Sequence, residues 1–414
     1  MTEGKGMEPA TPGSAFVIGL AVAHVAVFVA MAPLLGMLVP LKAQAIDPTN
    51  KEPLLSAALS WGAVTAGAAN VLAGVLSDRT RSRFGRRRPW MVGGIVGVLA
   101  SYLVIATAET GLVLIWGVVL FQAAYNALLA ALLALFADRV AGVARARLSA
   151  VMGLSYPVGN MIGAALVGGW LSDTGPRFGL LAGILVVGAL PFAILARDQP
   201  LINLDEAGQA SGGPVGRLGP FADRVFILAW IGRALMTTSF VVGSVYLLYF
   251  IAADTDFQRR YGASPEAGLA VLTTAAFVAV LAAALLIGAL GPGARARRGL
   301  AVVGAAVLSI SGLGLAWASG WTWVVAAFVL HGLGTGVYYA VEMGVMADVL
   351  PDRGRKGRDL GLINLAAALP QAWAPLVALG GLRLFDAGYR PVLTISALGF
   401  LAGAAAFAAL RRGR

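Results

Sequence analysis

The 414-residue chain alternates long apolar runs with short polar breaks. A helix needs about 20 mostly apolar residues to cross the hydrocarbon core of a bilayer, and on that rule twelve spans are expected. They run roughly over 15–41, 54–76, 90–108, 111–137, 149–171 and 178–196, then 224–252, 265–290, 299–317, 320–347, 360–382 and 391–410. One extended polar stretch, Arg197 to Phe221, contains Ser211-Gly212-Gly213-Pro214 and divides the spans six and six. The expected organisation is a tail (1–14), a six-helix bundle (15–196), a central loop (197–222), a second bundle (223–410) and a short basic tail (411–414). The first apolar run is too long for the core of a cleaved signal. Lys5 is offset by Glu3 and Glu8, so the run reads as a retained span.

Composition leads to the same class. The chain is 59% hydrophobic and 12% charged, with a mean hydropathy of +0.82, whereas soluble domains carry about 25% charged residues. A net charge of +11 raises the question of nucleic acid, but each basic cluster caps an apolar span, so no nucleic-acid partner is expected. With no cysteine there is no disulfide, thiolate metal site or thiol catalysis. No hydrolase, nucleotide-binding or redox motif is present. Neither an enzyme, a cofactor nor a metal site is expected, since the two histidines are far apart and poor in carboxylate neighbours.

Charge placement tests the span count. With the termini and the even-to-odd loops on one side, 23 of the 31 Lys and Arg residues collect there. The other side holds Lys42, Lys51, Arg177, Arg259, Arg260, Arg383 and Arg390, and Arg233 lies inside span 7. A missed helix would have scrambled this parity, so both termini are expected to be cytoplasmic. The halves also echo each other. Span 4 ends in Ala137-Asp138 before Arg145 and Arg147, and span 10 ends in Ala347-Asp348 before Arg353, Arg355, Lys356 and Arg358.

Between spans 2 and 3 lies Gly74-Val-Leu-Ser-Asp78-Arg79-Thr-Arg-Ser-Arg-Phe-Gly85-Arg86-Arg87-Arg88-Pro89. Its Gly-x-x-x-Asp-Arg start and Gly-Arg-Arg-Arg end resemble the loop between helices 2 and 3 of major facilitator superfamily transporters. The longer spelling is similar to the branch of sucrose transporters and melibiose-type glycoside–cation symporters. Tyr125-Asn126 through Asp138, and Asp359-Leu360-Gly361 with Asn364 and Leu369-Pro370-Gln371, add to that likeness. The resemblance implies an all-α membrane protein of twelve transmembrane helices in two pseudo-symmetric six-helix bundles, the major facilitator fold. It also implies a gating role at one membrane face for Asp78, Arg79, Gly85 and Arg86, and a charge-relay role for Asp138 and Asp348. Simple topology marking, or ordinary charge at a helix end, is the alternative for each. The equivalent loop in the second half, Gly291 to Gly299, keeps arginines but has no aspartate, so asymmetric gating is expected.

Inside the spans, His331, Thr335, Tyr338 and Glu342 fall on one face of span 10, and Arg233, Thr237, Phe240 and Ser244 on one face of span 7. A charge at the centre of a spanning helix costs about 2.5–3.5 kcal/mol on insertion scales, so both stripes are expected to face protein or water. In the resembled fold, spans 1, 4, 7 and 10 line the cavity. At 1.5 Å per residue, Arg233 lies about 13 Å and Glu342 about 9 Å from the ends of their spans. They are expected to approach each other, because an unpaired buried charge costs far more than a paired one. Glu342 is the candidate proton-coupling group with Arg233 as its partner; a static ion pair is the alternative. Candidate substrate-binding residues are Gln122, Tyr125 and Asn126 (span 4), Tyr156 and Asn160 (span 5), His331 and Tyr338 (span 10), and Asn364, Gln371 and Trp373 (span 11). Amides and phenols suit hydroxyl-rich ligands, and interhelical bonding is the competing reading. His24 in span 1 reads either as a packed histidine beside Phe28, Met31 and Leu35 or as a proton or substrate ligand.

Melibiose-type symporters carry acidic residues in helices 1, 2 and 4, and sucrose transporters an aspartate in helix 1. Those helices here have no interior acid, and span 1 offers only His24. Sodium coupling is therefore not expected. The leading expectation is a proton-coupled symporter of a glycoside or other small polar solute working by alternating access. The alternatives are a proton-driven exporter of amphipathic compounds and a facilitator-fold protein that serves a membrane partner without moving solute. The expected partners are a small-molecule substrate, a proton and the lipid bilayer, in a monomeric multi-pass protein of the inner membrane if the source is bacterial.

Overall fold

A computed structural model describes residues 13–140, 148, 152, 155–169, 171, 173–196, 223–318, 320–349, 356–385 and 387–410, the side chains of 356–361 excepted. The N-terminal tail, the central loop, the basic C-terminal tail, Arg145, Arg147, Arg353 and Arg355 lie outside the described residues, as do the side chains of Lys356, Arg358 and Asp359-Leu360-Gly361.

The described chain is all α-helical, and each expected span coincides with a helix. These are α1 (Ser14–Ile46), α2 (Lys51–Arg79), α3 (Arg88–Ala106), α4 (Gly111–Arg139), α5 (Ser155–Gly169) and α6 (Thr174–Leu195) in the first half. The second half holds α7 (Arg224–Val245), α8 (Pro265–Leu290), α9 (Ala294–Ala316), α10 (Trp321–Asp348), α11 (Lys356–Leu384) and α12 (Arg390–Ala409). Eleven of them are long and apolar enough to cross a membrane, and the described part of α5 is 15 residues long.

Helix α2 overruns its apolar run at both ends, starting at Lys51 and reaching Arg79. Among the described residues, α1 and α7 depart from regular α-helix. In α1 the backbone winds as a π-helix over Leu34–Leu38, directly after Pro33. Proline has no N–H and its ring crowds the carbonyl four residues back, and a widened turn accommodates both. In α7 the helix stops at Tyr246 (φ −112°, ψ 16°) and resumes over Leu247–Asp254.

Packing follows one scheme in both halves. Helix α4 packs on α2 and α3 while α10 packs on α8 and α9; α1 packs on α5 and α6 while α7 packs on α11 and α12. The halves meet chiefly along α2 with α11 and along α5 with α8. Apolar burial is uneven along that seam. At the end opposite the termini, here called the outer end, one core joins first-half residues such as Leu38, Leu55 and Phe121 to Tyr249, Phe257, Trp321 and Leu393 of the second half. At the terminus-bearing end the second half keeps a core of its own around Phe226, Met236, Tyr338, Val345 and Phe407. Among the described residues, the apolar core shared by the two halves thus reaches the outer end, while the second half's core at the terminus-bearing end is separate.

Between helices in lipid, small residues replace hydrophobic exclusion as the means of close approach. Gly332 and Gly336 bring α10 against α8; a Cβ at Gly336 would lie 2.5 Å from the Val280 carbonyl oxygen. Gly336→Val is therefore expected to force the two helices apart at about 1–3 kcal/mol, seen as a lower unfolding temperature in detergent, while substitution at Gly288, which has open space around it, leaves that temperature unchanged.

Candidate functional site

The loop after α2 is built around charge pairing within the first half. Gly85, at φ 101°, takes a backbone conformation that L side chains rarely adopt, and it turns the chain so that Arg86 and Arg87 point back at the bundle. Arg86 Nη2 lies 2.6 Å from Asp138 Oδ2, and Arg87 Nε lies 3.2 Å from the same oxygen. Arg87, 4% exposed, also pairs with Asp78 at 2.6 Å and donates to Ser77 Oγ. So Asp78 is held by Arg87 rather than by Arg86, and Arg79 is exposed. In the second half Arg297 donates to both carboxylate oxygens of Asp348, each at 2.8 Å. Arg87–Asp138 and Arg297–Asp348 share a separation of 51 residues. Gly288 stands where an equivalent of Asp78 would fall, so the aspartate arm belongs to the first half alone.

Deeper in the bundle, α7 and α10 place Arg233 and Glu342 side by side. Arg233 Nε lies 2.8 Å from Glu342 Oε1, and both side chains are over nine-tenths buried. The contact is an ion pair whose N–H is not aligned for a hydrogen bond; Arg233 Nη1 has no hydrogen-bond partner among the described residues. The Tyr338 hydroxyl lies beside the same carboxylate and likewise completes no aligned bond among those residues. The pair therefore retains unused donors within a low-dielectric interior, where such donors favour an added acceptor.

The structure separates the remaining candidates into two groups. Tyr338 is 1% exposed and packs against Phe240 and Phe407. Its neighbour Tyr339, not singled out from sequence, is the exposed phenol of α10. His331 is boxed by Phe240, Phe328 and Phe400 and borders a cavity of about 40 Å³ with Ser244 and Ser396. His24 is buried against Phe28 and Tyr125 is buried on Phe121; neither has a hydrogen-bond partner among the described residues. Gln122 and Asn126 bond to each other at 3.2 Å, and Asn160 is half-buried.

The accessible group is Tyr156, Asn364, Gln371 and Trp373. Gln371 donates to the Ala367 carbonyl oxygen, and Trp373 Nε1 to Thr238 Oγ1 at 3.2 Å. Asn364 and Gln371 thus present exposed amides within a span, an arrangement that is costly against lipid. Tyr156, edge-on to Phe28, lies near both Tyr125 and Tyr339, so phenols of α4, α5 and α10 stand close together. Sequence reasoning missed Tyr339, Arg87 and Arg297. The 210-residue spacing of Asp138 and Asp348 points from Arg87 to Arg297.

Residues 14–272, more than half of the chain, match the sequence profile of the Major Facilitator Superfamily, and the chain belongs to that family. It is an integral, multi-pass membrane transporter of the secondary type rather than an enzyme. No curated protein sequence matches it. The fold is similar to the crystal structure of the nucleoside transporter NupG, a point mutant (TM-score 0.75, 13% identity, 95% of this chain and 99% of that one). It is also similar to the peptide transporter POT in complex with sulfate (0.75, 15% identity, 97% and 96%). A bacterial homologue of the human lysosomal transporter Spinster, in an inward-facing and occupied conformation, matches with a TM-score of 0.66, 14% identity and coverage of 99% and 98%.

Breaking a buried ion pair from one side strands the other charge, typically at about 3–5 kcal/mol, whereas replacing both partners by apolar groups is often neutral. Glu342→Ala is expected to lower the unfolding temperature in detergent markedly, and Arg233→Met combined with Glu342→Leu to recover most of the loss.

Proposed function

We infer that this transporter is a proton-coupled symporter of a small polar solute, in the manner of the glycoside–cation symporters, working by alternating access. The observation that carries the reading is the Arg233–Glu342 pair, buried together with an unused guanidinium nitrogen and the Tyr338 hydroxyl beside it. A proton placed on Glu342 removes its charge and releases Arg233 toward another acceptor. That exchange ties proton, solute and conformation to one group. The polar contacts for solute come from Tyr156, Asn160, Tyr339, Asn364, Gln371 and Trp373, groups that give and accept hydrogen bonds without fixed charge. The loop Asp78 to Pro89 supports the glycoside branch by its spelling, and the absence of interior acids in α1, α2 and α4 favours the proton over sodium. In this reading the termini are cytoplasmic, the membrane is the inner one in a bacterium, and the protein works as a monomer of two bundles, 15–196 and 223–410.

The gating role of Asp78, Arg79, Gly85, Arg86, Asp138 and Asp348 belongs to the same proposal. In the state described, the arginine–aspartate pairs lie within their own halves, which is what a gate parted at that end requires. Proton-driven export of amphipathic compounds is the second reading, and one observation favours it: Phe28 packs edge-on to the accessible phenol Tyr156 and Phe240 stacks on the accessible phenol Tyr339.

The test is solute-triggered proton movement in de-energised cells across a panel of disaccharides and glycosides. External alkalinisation with one sugar, abolished in Glu342→Gln while binding of that sugar persists, is the expected result. An unchanged signal in Glu342→Gln would remove this group from coupling, and silence across the panel in cells that express the protein would favour export.

A further inference from the structure

The outer end is tied by polar bonds that run between the halves and that no role above uses. Tyr389, the residue before α12, donates its hydroxyl to Glu52 Oε1 of α2 at 2.6 Å. Tyr246, at the break in α7, bonds Ser56 Oγ of α2 and lies 3.4 Å from the Glu52 carbonyl oxygen. Tyr249 donates to the Pro40 carbonyl oxygen of α1 at 2.7 Å, and the Lys51 ammonium sits 4.6 Å from the centre of its ring. The three phenol rings pack on one another with centroids 6.0–6.2 Å apart. On the other seam, Arg177 of α6 pairs with Glu266 of α8 at 2.9 Å, and both are buried.

These groups are placed by the local backbone. The break at Tyr246 turns its ring out of the helical stack toward α2. Asp254 accepts the Tyr389 N–H at 2.9 Å and so fixes the residue that enters α12. Burial first, and then the bond to Glu52, hold the Tyr389 phenol well above its ordinary range, so it remains a donor at physiological pH. At the terminus-bearing end the described ion pairs are internal to each half, whereas at the outer end they cross between halves. Opening the outer end requires these crossing bonds to break.

We propose that Glu52 with Tyr389, Tyr246 and Tyr249, and Arg177 with Glu266, are the two fastenings of the outer gate, one on each seam. Together they set how readily the cavity opens away from the termini. The inference rests on the alternating-access reading but on no particular solute or ion. It can therefore be tested without either.

The chain has no native cysteine, so Ser244→Cys provides a single thiol. Ser244 is exposed in this structure and lies two residues before Tyr246 in α7. In membrane vesicles of each orientation, its reaction with a membrane-impermeant maleimide reports which side the cavity faces. Tyr389→Phe keeps the ring and removes the bond to the carboxylate. It is expected to speed labelling from the outer side by roughly tenfold or more, as losing a hydrogen bond to a charged group implies, and to slow labelling from the terminus side. Glu266→Gln is expected to move both rates in the same directions. Unchanged rates would overturn the proposal. Faster labelling from both sides would also overturn it, because that marks a loosened fold rather than a shifted gate. A second measurement is independent of these variants' folding. Glu52→Cys with Tyr389→Cys, bridged by a short reducible bifunctional thiol reagent, is expected to trap the cavity facing the termini until the bridge is reduced. Outer-side labelling of a Ser244→Cys thiol deprotected after bridging would contradict that.

Discussion

A guanidinium and a carboxylate enclosed in the same helical bundle constrain the rest of this structure. Neither Arg233 nor Glu342 can be left alone in a low-dielectric interior, and neither can move far without the other. Their placement requires α7 and α10 to keep a fixed register, which Phe240 supports by packing against Tyr338 and Tyr339. It also leaves Arg233 Nη1 and the Tyr338 hydroxyl as unused donors where a solute or a change of protonation has most leverage. The other ion pairs among the described residues lie near helix ends, where an opposite charge or water shares the cost of holding them.

Both halves use the same solution for those helix ends. An arginine at the start of α3 or α9 is held by an aspartate at the end of α4 or α10, at the same sequence separation. What differs is the added carboxylate of Asp78, which makes Arg87 the shared partner of two acids in the first half. The outer end is built differently, from phenols around one carboxylate and a single buried ion pair. Short polar bonds among packed rings have a steep distance dependence. They suit a seam that is either fully closed or fully open.

The fold was legible in the sequence because lipid makes hydropathy nearly decisive: the apolar runs that became the spanning helices needed no tertiary information. The approach of Arg233 to Glu342 was legible for a related reason, as two isolated charges inside spans have few other stable arrangements. Directions around a helix were less so. Tyr338 and Tyr339 are adjacent, and helical spacing aligned the first with Glu342. Packing on Phe407 and the close approach of α9 buried that ring and left the second facing open space. The outer fastenings were hidden because tyrosines at span ends also read as an interfacial belt. Glu52 and Tyr389 are 337 residues apart, with no periodic pattern to connect them.

Infrared difference spectroscopy of the protein in lipid, taken between mildly alkaline and mildly acidic buffer, tests the central claim most directly. The account predicts a protonated-carboxyl band that grows on acidification and is missing from Glu342→Gln. The accompanying guanidinium change should vanish in the same variant. Identical difference spectra for the two proteins would show that Glu342 keeps its charge throughout and that the buried pair only holds the bundle together.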